Sequence, residues 1–119
     1  MFVSAAPSPY ERFARALNAG DLLTARIHAA DLPRISLADA LALTLLYAQA
    51  DPARYDRAAA RWLALLVDLP AVTIEEAAAA ADALRRRGLA APAGRRALRA
   101  LMYDLGQPDA AKRLPLEPS

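Results

Sequence analysis

The sequence has no cysteine, one lysine, one histidine and four glycines in 119 residues. Each shortage removes a class of chemistry. Without cysteine there is no disulfide and no thiolate zinc set, which fits a reducing cytoplasm. No glycine stands in a phosphate loop of the form G-x-x-x-x-G-K-[ST] or in a G-x-S-x-G nucleophile turn. Long apolar runs are also missing. The longest, Leu37 to Ala50, falls short of the ~20 residues that a membrane-spanning helix needs. The first ten residues, MFVSAAPSPY, carry no basic start and no apolar stretch of signal-peptide length. A cytoplasmic protein with no membrane partner is expected.

What fills the sequence is alanine, leucine and arginine, the strongest helix formers. Arginine outnumbers lysine fourteen to one, a bias that GC-rich, bacterial-type coding accounts for. Scarce glycine is not explained that way and points to selection for helix. Charge is unevenly placed. Residues 1–84 hold 10 acidic and 7 basic side chains, whereas residues 85–119 hold 3 acidic and 8 basic. Such asymmetry can mark a face for an anionic partner.

Local punctuation predicts six helices. Ser8-Pro9 with Glu11 is a capping box ahead of a helix to about Ala19, and Gly20 stops it. Asp21 caps a second helix that ends before Pro33. Ser36 with Asp39 opens a third over Leu37–Ala50, apolar nearly all round and so read as the buried centre. Asp51-Pro52 opens a fourth, ended by Pro70, with Tyr55, Ala59, Trp62, Leu66 and Leu69 as its apolar stripe. Thr73 and Glu76 box a fifth to Arg87 before Gly88. The sixth runs from Pro92 to about Leu105, stopped by Gly106. Short connections make consecutive helices antiparallel neighbours. The expected fold is all-α: three hairpins in a single domain over residues 8–106, with a loose N-terminus at 1–7 and a proline-containing tail at 107–119.

Within this pattern Tyr55-Asp56-Arg57-Ala58, Trp62, Leu65 and Pro70 resemble the second helix of a tetratricopeptide repeat, and Tyr47 is similar to the aromatic late in its first helix. The resemblance covers residues 36–70 best, 9–33 loosely and 73–106 hardly. It departs at Thr44, where the family has glycine, and in a 3–4 connection of about two residues. It implies paired antiparallel helices and a protein partner bound in a groove lined by the first helix of each pair. Few polar side chains between Leu37 and Ala50 are available for such a groove.

Candidate sites are sparse. His28 has only Asp31 nearby in sequence, and a lone titratable group is not a site. Glu75 and Glu76 project about 100° apart on a helix and do not converge; capping explains them. Tyr55 and Trp62 suit either an interface anchor or the core, and their periodicity favours core. Lys112 to Pro118 fits a basic-x-x-Pro-x-x-Pro pattern of the kind that arises by chance in proline-rich ends. The sharpest feature is Arg85, Arg86, Arg87, Arg95, Arg96 and Arg99, all around the last hairpin. Arginine forks onto phosphate, so these six are the candidate site for an anionic partner. The reading is a non-enzymatic protein–protein interaction module, adaptor or scaffold, with no catalytic residue, no cofactor and no metal. A small nucleic-acid-binding protein using the arginines is the alternative, and self-association through surplus apolar surface is the third.

Overall fold

The computed structural model describes residues 7–85, 89 and 91–115. These residues form seven α-helices, one 3-10 turn and no strand: α1 Pro9–Ala19, α2 Leu22–Ala30, α3 Leu37–Ala50, the turn Pro52–Arg54, α4 Tyr55–Val67, α5 Ile74–Leu84, α6 Pro92–Asp104 and α7 Pro108–Ala111. The all-α expectation holds, with seven helices where six are predicted. Among the described residues, no helix is long and apolar enough to cross a membrane.

Three start signals act as read. Ser8 Oγ accepts from Glu11 N–H at 3.1 Å, and Glu11 Oε1 accepts from Ser8 N–H at 2.8 Å. That reciprocal bonding holds the Glu11 carboxyl below the usual carboxylate range. Thr73 and Glu76 repeat the box at 3.1 and 2.9 Å. Asp21 Oδ1 accepts from Thr24 N–H at 3.1 Å. Gly20 and Gly106 stop α1 and α6 with positive φ of 71° and 70°, which glycine alone adopts without a Cβ penalty.

The chain divides into two compact units, Met1–Ile35 and Ser36–Ser119. The division follows the segment where Pro33 breaks helical continuity and Ser36 caps the next helix. The first unit is the α1–α2 hairpin, in which Phe13 and Ala25 are fully buried. In the second unit the helices pack in chain order, α3 on α4, α4 on α5, α5 on α6 and α6 on α7, and α7 closes back onto α3. Leu41, Trp62, Leu66, Leu98, Met102 and Leu114 fill its interior.

Three expectations change. First, α3 is one stave of a closed ring, not an enclosed centre: Leu41 and Tyr47 are buried, but Leu43, Leu45 and Leu46 are only half-buried. Second, the predicted tail begins inside the fold. At the first helical position the missing N–H of Pro108 costs nothing, and it starts the four-residue α7. Ala110, Ala111 and Leu114 are buried; residues 116–119 lie outside the described residues. Third, Ser36 opens α3 without the Asp39 carboxylate. Ser36 Oγ accepts from Asp39 N–H at 3.0 Å, but the Asp39 carboxylate turns to Arg113, 74 residues away.

The Asp39–Arg113 ion pair ties the end of the chain to α3. Asp39 is 3% exposed, so losing its partner leaves a carboxylate buried and unpaired. Arg113→Ala is expected to lower the unfolding free energy in urea by about 2 kcal/mol, with the partial exposure of Arg113 keeping it below the fully buried range. Asp39→Leu combined with Arg113→Met should recover most of that loss. A double variant whose loss equals the sum of the singles would remove the pair from this role.

Candidate functional site

Two stripes of equal spacing run along the outer side of α4 and α5. On α4 the buried positions Tyr55, Ala59, Trp62 and Leu66 face the interior. One step around the helix lie Asp56, Ala60, Leu63 and Val67, at intervals of four, three and four. On α5 the buried positions are Ala80, Ala83 and Leu84. Beside them lie Ile74, Ala78, Ala81 and Arg85, again at four, three and four. The two helices are antiparallel neighbours, so Asp56 and Arg85 share one end and Val67 and Ile74 the other.

Between the stripes is an open groove of 360 Å³, with Ala59, Ala60 and Leu63 on one wall and Ala81 and Leu84 on the other. Asp56 and Arg85 stand at its mouth. The alanines make its walls low. Further along the two stripes, Ile74 is 84% exposed and Val67 49% exposed. The arrangement is an open apolar groove with a charged end.

Hydrogen bonds outside the groove hold its walls. Tyr55 Oη donates to the Leu84 carbonyl at 2.5 Å, tying the start of α4 to the end of α5. This satisfies a carbonyl in the last turn of α5, where intrahelical donors run out. Burial, with a smaller contribution from Asp56, pushes the Tyr55 hydroxyl pKa up to about 12. Trp62 Nε1 donates to the Leu37 carbonyl at 3.0 Å, joining α4 to the start of α3. Tyr55 and Trp62 are 5% and 1% exposed and therefore belong to the core.

The arginine cluster does not form one surface. Arg95 is buried; its Nε donates to the Pro115 carbonyl at 2.9 Å and its Nη1 to the Leu89 carbonyl at 2.8 Å. Arg99 Nη1 donates to the Ala111 and Leu114 carbonyls, both at 3.1 Å, and its guanidinium lies 5.4 Å from the Tyr103 ring centroid. Both side chains are spent on backbone carbonyls of the chain itself, at Leu89, at the end of α7 and just after it. Arg85 and Arg96 are exposed, and Arg85 reaches Asp82 at 3.2 Å. Arg86 and Arg87 lie outside the described residues. The sequence displays the charges of Arg95 and Arg99 but not the carbonyls they serve, three of which belong to a segment read as tail.

The remaining candidates are local. Glu76 caps α5 and Glu75 is exposed beside it. His28 is half-buried near the end of α2, and its buried Nδ1 has no hydrogen-bond partner, Asp31 included. The α4/α5 groove itself was missed, although the second stripe on α4 shows the same four-three-four spacing as the core stripe. Comparison with protein-family models, curated proteins and solved structures yields no match.

Two outcomes follow from these contacts. The neutral Tyr55 hydroxyl is favoured in the fold, so its contribution is complete below pH 10, the unfolded value, and lost as pH rises to about 12. In thermal melts the advantage of the native chain over Tyr55→Phe should shrink across that window and then reverse; parallel pH curves would contradict it. Separately, Arg95→Ala should cost about 2–3 kcal/mol in urea unfolding, because two carbonyls lose a charged donor. Arg96→Ala should stay within about 0.5 kcal/mol of the native chain. Equal effects would show that Arg95 is not structural.

Proposed function

We propose that this chain is a non-enzymatic protein–protein interaction module that docks a polypeptide on the outer face of α4 and α5. The observation that carries the reading is the open apolar groove between α4 and α5, with the exposed Ile74 and Val67 further along the same two stripes. Single exposed apolar residues are ordinary on a protein surface; a contiguous strip with a groove beside it marks an interaction face. Covering one isoleucine side chain is worth about 1.5–3 kcal/mol, so Ile74 alone makes a substantial anchor. Alanine walls let a partner's backbone come close. The face differs from the first-helix groove that the tetratricopeptide resemblance implies, and the proposal rests on the groove and not on that resemblance.

Nucleic-acid binding through the last hairpin has less support. Two of its six arginines donate to the chain's own carbonyls. An alanine variant at Arg95 or Arg99 would also disturb the fold, so lost binding in such a variant would not identify a phosphate contact.

The absence of cysteine makes site-specific cross-linking direct. Ala78→Cys, in the groove stripe, should cross-link to a polypeptide in cell extract, and Ile74→Glu in the same chain should suppress the product. Ala93→Cys on α6 serves as the control position. Equal cross-linking from both positions, or none from Cys at 78, would overturn the proposal.

A further inference from the structure

We infer that the polypeptide docked on the α4/α5 face is a second copy of this chain, in a twofold dimer whose axis runs parallel to the two helices. The inference rests on reading that face as a protein-docking surface. A twofold axis in this direction keeps each end of the hairpin at the same height in both copies and exchanges left for right. It therefore sets α4 of one copy against α5 of the other, antiparallel, and every contact occurs twice.

The face is complementary to itself in that arrangement. Asp56 meets Arg85 of the second copy, and Arg85 meets its Asp56. At the other end Val67 meets Ile74 of the second copy, apolar against apolar. Halfway along, Leu63 lies opposite Ala78 and Ala81, large against small. The exposed edges agree as well: α4 carries Arg57 and Arg61, and α5 carries Glu75 and Asp82. An axis perpendicular to the helices would instead press the charged end onto the apolar end, burying Asp56 and Arg85 against Val67 and Ile74, which is costly. The charge pattern thus selects one orientation.

Arg85 already lies 3.2 Å from Asp82, but both side chains are more than three-quarters exposed, and such a pair competes weakly. Two helices about 10 Å wide and three turns long offer a small contact. That size belongs to reversible, concentration-dependent association and not to an obligate dimer.

Sedimentation equilibrium of the full chain, from micromolar to millimolar concentration, provides the test. The native chain should show a monomer–dimer equilibrium. Asp56→Arg places two arginines together across the axis and Arg85→Asp two aspartates, so each variant alone should dimerise about tenfold more weakly or worse. Mixed in equal amounts, the two variants restore both pairs and should form a heterodimer. Recovery on mixing cannot arise from a folding defect in either chain, and circular dichroism of each variant checks the fold directly. A native chain that stays monomeric, a dimer that both variants leave intact, or a mixture that fails to recover would each overturn the inference. If the native chain is monomeric while Cys at 78 still cross-links to a foreign polypeptide, the docking reading survives and only the second copy is excluded; if neither occurs, both fall.

Discussion

The second unit depends on how its chain end is held. Five helices packed in sequence close into a ring only because α7 returns to α3. Three arginines secure that return. Arg113 pairs with buried Asp39 on α3, while Arg95 and Arg99, one helical turn apart on α6, donate to the carbonyls of Ala111, Leu114 and Pro115. These carbonyls include the end of α7, which a four-residue helix cannot satisfy from within. Charged donors suit the task because the guanidinium groups of Arg95 and Arg99 each serve two backbone acceptors. Leu114 then seats fully buried between the polar contacts.

Closure on that side has a consequence on the other. Each helix of the ring has two packed neighbours, and alanine occupies many of the positions between. At α4 and α5 the small side chains leave a groove open along the outer side, with Ile74 and Val67 beyond it. Tyr55 and Trp62, which look like anchors for a partner when read in sequence, supply the fixed frame instead, donating to carbonyls of α5 and α3. The exposed apolar strip follows from that frame: the aromatics take the interior side of α4 and leave the next stripe outside.

Much of the helical layout was legible because its causes are local. Ser8 with Glu11, Thr73 with Glu76, and the positive-φ glycines at 20 and 106 act within a few residues of the ends they define. Hairpin pairing follows from short connections. The arginine cluster was legible as charge but not as role. Asp39 stood out as a carboxylate in an apolar helix, yet its partner lies 74 residues on. The proline-containing tail gave no sign of α7, because the helix-starting effect of Pro108 counts only when the following residues find a surface to pack on.

By itself, then, the sequence determined the all-α class, the positions of most helix ends and the inward side of α4, since backbone caps and 3.6-residue periodicity operate over one or two turns. Tertiary structure alone decided that the chain forms two units, that residues 107–115 belong to the fold, and that Arg95, Arg99 and Arg113 serve as internal fasteners. It also decided which apolar stripe stays exposed. The reason is physical: a buried charge or an open groove is defined by what the chain brings near it from far along its length, and loop closure over such distances leaves no local pattern.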